Sequence, residues 1–135
     1  DGKGATLAVS GALKKANLKP ADISYINAHG TGTPNNDFSE STALINVFKE
    51  NIPPFSSTKA YTGHTLAASG AIEAVYAILA LQNNVIFPNL NFSTPIAETQ
   101  LVPETSWNDT KEVNTVLSNS FGFGGNNSSV IFKKV

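Results

Sequence analysis

An α/β fold with a mixed sheet and a buried central helix is the reading this chain gives, on three observations. Helical and extended segments alternate along most of its length. The C-terminal third closes on two strand-like runs with a Gly-rich turn between them, which adds an antiparallel pair to a layered α/β unit. Between Leu66 and Leu81 only Ser69 and Glu73 are markedly polar, and small residues (Ala67, Ala68, Gly70, Ala71, Ala74, Ala77, Ala80) surround the axis. A helix apolar on nearly every side belongs inside a layered structure. That run is too short, with a carboxylate too near its middle, for a membrane span.

Residues 1–18 read as a helix with Leu7, Ala8, Gly11, Ala12 and Leu13 facing inward, ended by Asn17–Pro20. Ile23–Ala28 is a short strand rich in β-formers, and it runs into the Gly- and Thr-dense turn His29–Pro34. A second helix covers about 38–49, its inner face marked by Phe38, Thr42, Ile45 and Phe48, with Ser39 and Glu40 in the first turn. Pro53-Pro54 breaks the chain, Phe55-Ser56-Ser57 is a buried strand, and the central helix follows. A long irregular connection begins at Val85, its Pro95 and Pro103 forbidding regular pairing. Val113–Asn119 and Ser128–Lys133 are the last strands.

Composition bounds the function. A chain of 135 residues with 41% hydrophobic side chains, Gly 10 and Pro 7 is one ordinary globular domain, 1–135. Its net charge of −1, with nine lysines and no arginine, lacks the basic stripe of a nucleic-acid binder. Without cysteine there is no disulfide, no thiolate metal site and no cysteine nucleophile in this chain. The absence of methionine and the opening Asp1 suggest a piece of a longer protein. No targeting segment is visible, so the default location is the cytoplasm, with no membrane partner.

His29 and His64 are the only histidines, both flanked by Gly and Thr and both at element ends. One such histidine is as easily structural as functional; two in the same context point to a site. A zinc site lacks a third ligand. A neutral imidazole at a helix N-terminus is a hydrogen-bond donor aimed at an anion. Lys59, five residues before His64, would depress protonation of that imidazole. Glu73, inside the apolar helix, needs a lysine or a bound cation. The Ser120–Gly125 loop is an unusual hairpin turn or a set of amides for an oxyanion, with a mobile Phe ring. The turn at His29–Thr33 lacks the Lys-Ser/Thr of a phosphate-binding loop.

Asn27-Ala-His-Gly-Thr-Gly-Thr-Pro34, Ser57-Thr-Lys59 with Thr62-Gly-His64, and Asn119-Ser-Phe-Gly-Phe-Gly-Gly125 resemble, in order and spacing, the signatures of the C-terminal half of a β-ketoacyl-[acyl carrier protein] synthase. The similarity runs over essentially the whole chain. It implies the second α/β unit of a thiolase-like fold, Ala67–Leu81 being its central helix, and a decarboxylative Claisen condensation of malonyl-carrier protein with an acyl-enzyme. On the matching positions His29 and His64 stabilise the enolate and Lys59 tunes them. Phe123 lends its amide to an oxyanion hole and its ring to an acyl-pocket gate, with Phe121 beside it, and Thr31 and Thr33 contact the phosphopantetheine arm.

The resemblance also implies a structural monovalent cation near Asn27, Ala28, Glu73, Ser118 and Asn119, and no other cofactor. Its partners are acyl carrier protein, the missing N-terminal half and, in the full-length protein, a second copy. The family's nucleophilic cysteine lies in that other half, so this chain alone is expected to be inactive. Two rival readings are a non-catalytic subunit like a chain-length factor, which typically loses one or both histidines, and an α/β binding domain with structural histidines.

Overall fold

The computed structural model describes all residues, 1–135. Four helices, α1 (Lys3–Ala16), α2 (Pro34–Phe48), the one-turn α3 (Lys59–Thr62) and α4 (Ser69–Asn83), flank four strands: β1 (Tyr25–Asn27), β2 (Phe55–Ser56), β3 (Thr115–Phe121) and β4 (Asn127–Lys133). The sheet order is β2-β1-β3-β4, with β2, β1 and β3 parallel and β4 antiparallel to β3. The mixed sheet and closing hairpin follow the sequence expectation, with boundaries moved by a few residues.

Successive strand residues point to opposite faces, and this alternation sorts the core into two layers. Ile26 and Leu117, paired in register, join Val9 and Leu13 of α1 and Leu44 and Phe48 of α2 on one side. Tyr25 and Val116, the neighbouring pair, join Ala77, Ala80 and Leu81 of α4 with Ile86 and Val113 on the other. The molecule is therefore three layers, α1 and α2 against one face and α4 against the other.

The inner faces of the helices differ from the sequence expectation. In α1 the buried row is Ala5, Val9 and Leu13, whereas Leu7 is 66% exposed. Leu7 lies two residues from both Ala5 and Val9, so it projects about 200° away from that row. In α2 the helix starts at Pro34, which suits a first-turn position. Its buried row is Glu40, Ala43, Leu44 and Phe48, while Phe38 faces out. The buried row departs from the expected one because it carries a carboxylate, Glu40.

The central helix shows one covered stripe rather than burial all round. Ser69, Glu73, Ala77, Ala80 and Leu81 are buried; Leu66, Val75, Ile78 and Leu79 are exposed, because nothing in this chain packs on the outer face. The helical run Leu66–Asn83 has 18 residues and a mean hydropathy of 1.2, so by length and composition alone it is long and apolar enough to cross a membrane. That corrects the expectation that it is too short. Its packing on β3 and its buried Glu73 are those of a core helix, which passes the same test.

The connection from Asn84 to Asn114 is irregular, as Pro95 and Pro103 require, and is pinned by the isolated bridge Ile86–Asn108. Beneath it the Tyr25 hydroxyl lies 2.7 Å from Ser56 Oγ, which donates to the Phe87 carbonyl at 2.6 Å. An aromatic row, Tyr61, Tyr76, Phe87 and Trp107, runs over the outside with centroids 6.2, 5.1 and 5.8 Å apart. Tyr25→Phe removes one end of this buried chain while Ser56 keeps the Phe87 carbonyl. A loss of about 1 kcal/mol in urea denaturation is the expected result.

Candidate active site

His29 sits where β1 ends, at the C-terminal edge of the parallel strands. Its own N–H and that of Gly30 donate to the two oxygens of Glu40, each at 2.9 Å, and Asn119 Nδ2 donates to Oε1 at 3.0 Å. Asn119 Oδ1 in turn accepts from Ser129 Oγ at 2.8 Å. One carboxylate on α2 thus holds the bend that carries His29 to the β3–β4 hairpin. Burial pushes the Glu40 carboxyl above its usual range, and the three N–H donors pull it back. Gly30 takes φ +42, a conformation that side chains rarely adopt.

Lys59 opens α3 and is buried, as is Glu73 on the inner row of α4. The two form an ion pair, and the lysine the Glu73 carboxylate needed is therefore present in the chain. Lys59 Nζ also donates to His29 Nδ1 at 3.1 Å. The ammonium expected beside His64 meets His29 instead. An Nδ1 that accepts a hydrogen bond cannot carry a proton, so His29 is the neutral tautomer with its hydrogen on Nε2. Burial first, then the charges of Lys59 and His64, bring its pKa down to about 4.

His64 does not start the central helix. It lies in the exposed turn between α3 and a 3-10 turn at Leu66–Ala68, five residues before Ser69. Its Nδ1 accepts the Leu66 N–H at 3.1 Å, which again leaves the hydrogen on Nε2. Leu66 holds that amide in place with φ +53, a strained conformation for a leucine. The two rings stand 5.4 Å apart, edge to face, with the Phe121 ring 5.9 Å from His29. His64 and Lys59 line an open cleft of about 580 Å³ whose walls include Gly30, Thr31 and Asn89. His29 is not among those walls; it is 5% exposed, its ring beside that of His64.

The remaining predicted residues divide. Thr31 lies at the cleft wall, its hydroxyl 2.8 Å from that of Thr33, which precedes α2 in the open. Phe121 lies beside His29, with ring centroids 5.9 Å apart. Phe123 does not: its ring is fully exposed in the Phe123–Gly125 turn, where Gly124 and Gly125 have positive φ.

The five residues assigned to a structural cation do not fit one through their side chains. Asn119 faces α2 and is spent on Glu40 and Ser129. Glu73 projects from α4 on the other side of the sheet, its Oε1 engaged by Lys59 and Ser69 and its Oε2 facing Ser120 Oγ at 3.5 Å. Asn27 Oδ1 accepts from Thr58. Ala28 brings no side-chain donor, and Ser118 lies on the Glu73 side of β3, opposite Asn119.

Sequence reasoning missed Glu40, Ser57 and Asn89. For Glu40 a signal existed, an acid at the head of the 40–44–48 row of one helix. Ser57 and Asn89 owe their places to the loop path, which leaves no periodic trace.

Residues 1–93 match the model of the family described as beta-ketoacyl synthase, C-terminal domain. The chain belongs to that family. It is 44% identical, over 100% of its own length and 30% of the relative's, to a mitochondrial 3-oxoacyl-[acyl-carrier-protein] synthase of Arabidopsis thaliana. It is 50% identical, over 83% of its length and 28% of the relative's, to 3-oxoacyl-[acyl-carrier-protein] synthase 1 of Haemophilus influenzae.

Among solved structures, the ketosynthase ApeO in complex with its chain length factor ApeC from Xenorhabdus doucetiae is similar at 42% identity and TM-score 0.89, covering 98% of this chain and 34% of that one. The type II polyketide complex AntDE:AntF, a ketosynthase with its acyl-carrier protein, matches at 33% identity and TM-score 0.92 over 100% of this chain and 34% of that one. These likenesses bear out the thiolase-like α/β unit expected from the motifs. The chain spans about 30% of the curated relatives it matches.

Glu40→Gln replaces one acceptor oxygen by an NH₂ group that faces an N–H. A loss of about 2 kcal/mol in denaturation is expected, with disturbed His29 and Gly30 amide shifts. For His29, NMR should give a ring midpoint near pH 4. Since the folded value lies below the unfolded 6.5, the unfolded chain binds more protons in between. The contribution of His29 is therefore complete above pH 6.5 and drains away as pH falls toward 4, measured against His29→Asn.

Proposed function

We propose that this chain supplies the His/His/Lys half of a condensing site that decarboxylates a malonyl thioester and joins the resulting carbanion to an acyl-enzyme, in fatty-acid or related polyketide elongation. The observation that carries this reading is the shared tautomer. Both Nδ1 atoms are occupied as acceptors, by Lys59 and by the Leu66 amide, so each ring has only an Nε2–H to offer. Two neutral imidazoles with ring centroids 5.4 Å apart suit an oxygen that gains negative charge in the transition state.

In the reaction, the C–C bond to the malonyl carboxylate breaks and CO₂ leaves. Its electron pair passes into the thioester enolate, whose oxygen accepts the two Nε2–H bonds. The enolate carbon then attacks the acyl thioester, expelling the thiolate that carried it. A protonated His29 would lose its acceptor role toward Lys59; the low pKa keeps it neutral across the physiological range.

The acyl-bearing nucleophile is not in this chain, which has no cysteine. We assign it to the part of the relatives that this chain does not span. Acyl carrier protein is the malonyl donor in this reading, in keeping with the similar AntDE:AntF structure, a type II acyl-carrier protein in complex with its ketosynthase. Phe123 keeps its proposed gate and amide roles only if its turn folds inward over the cleft. The cytoplasm is the compartment we assign, although one similar synthase is mitochondrial. Retention of both histidines and the lysine speaks against a non-catalytic subunit.

His64→Ala in the full-length protein should lower malonyl-carrier protein decarboxylation by at least about 100-fold, followed as CO₂ release. Unchanged release would end this reading. The 135-residue chain alone, given acyl- and malonyl-carrier protein, should yield no β-ketoacyl product.

A further inference from the structure

Two stretches of backbone approach closely under the cleft, and one hydroxyl joins them. A Cβ built on Gly30 would fall 2.5 Å from Ser57 Cβ, so only glycine admits Ser57 this near. Ser57 is buried. Its Oγ donates to the Gly30 carbonyl at 2.9 Å, lies 3.4 Å from the His29 carbonyl, and accepts the Lys59 N–H at 3.3 Å. The N–H of Ser57 itself donates to Asn89 Oδ1 at 2.9 Å.

Asn89 reaches across from the far wall of the cleft, on the connection after α4. Its N–H donates to the Glu104 carbonyl at 2.7 Å, and the Glu104 N–H donates to the Phe55 carbonyl at 2.8 Å. The ring of contacts Phe55, Glu104, Asn89 and Ser57 thus closes back on the end of β2. Neither Ser57 nor Asn89 belongs to the groups that meet substrate in the mechanism above.

We propose that Ser57 and Asn89 form a positioning brace for that mechanism. The brace fixes the distance between the bend that bears His29 and the turn that bears Lys59, and with it the direction of the His29 Nε2–H. The Lys59–His29 contact of 3.1 Å spans these two backbones. A misplacement near 1 Å at such a site costs up to about 100-fold in rate. The inference rests on the decarboxylation reading.

The test uses the full-length protein and malonyl-carrier protein decarboxylation, with Ser57→Ala, Asn89→Ala, their double variant, Asn89→Asp and His64→Ala. Ser57→Ala and Asn89→Ala should each lower kcat about 10- to 100-fold and leave KM within about threefold. Asn89→Asp, which keeps an acceptor for the Ser57 N–H, should retain most of the rate. The double variant should be no slower than Ser57→Ala, since the two act as a unit.

Unchanged kcat in both single variants overturns the brace. So does a raised KM at constant kcat, which would make Asn89 a binding group, or an Asn89→Asp variant no better than Asn89→Ala, or a double variant whose losses multiply. If Ser57→Ala does not fold, the two Asn89 variants decide. Should decarboxylation survive His64→Ala, the functional reading fails first; should it collapse there while the brace variants keep their rate, the brace alone fails.

Discussion

A single buried ammonium organises this structure. Lys59 is held by Glu73 from the helix layer on one side of the sheet and is offered to His29 at the end of the first strand. Taking such a pair out of water costs several kcal/mol per ion, and the mutual attraction restores that only with good geometry. A hydrophobic pair of the same volume would hold α3 to α4 at least as well. What it could not do is donate a hydrogen bond to an imidazole and fix which nitrogen keeps the proton. The ion pair is better understood as a device for orientation than as a source of stability.

Its counterpart stands on the opposite face of the sheet. Glu40 gathers the backbone of His29 and Gly30 and the amide of Asn119 into one carboxylate. The His29 ring is therefore set by Lys59 and its backbone by Glu40. The two carboxylates reach the site from α4 and α2 because β3 alternates, Asn119 turning toward one and Ser120 toward the other. Two consecutive residues of one strand thus serve two layers. His64 has no such frame. It depends on one backbone amide in an exposed turn, and on a leucine bent into a conformation that glycine would take more easily.

The layered fold was legible in the sequence because helix and strand periods alternate plainly and the Gly-rich turn separates two clear strands. His29, His64 and Lys59 were legible as a site from their repeated Gly-Thr context and from the family motifs that contain them. The faces of α1 and α2 were not, since Leu7 and Phe38 are hydrophobic residues left outside while Glu40 goes in. Hydrophobicity ranks side chains by their transfer cost, and a carboxylate with three N–H donors escapes that ranking. Nor was the open face of α4 legible: an apolar sequence states what a helix can bury and is silent on whether a neighbour comes. Contacts made through loops, such as Ser57 to Asn89, depend on a path that no local pattern encodes.

The aromatic row on the outside has a practical side. Trp107 is the sole indole in the chain, 60% exposed, and it meets Phe87 edge-on within the irregular connection rather than in either core layer. Its emission therefore reports the surroundings of this one loop rather than those of either core layer. A fluorescence melt would watch the strap come loose while circular dichroism still counted intact helices, so disagreement between the two would map the order in which the molecule comes apart.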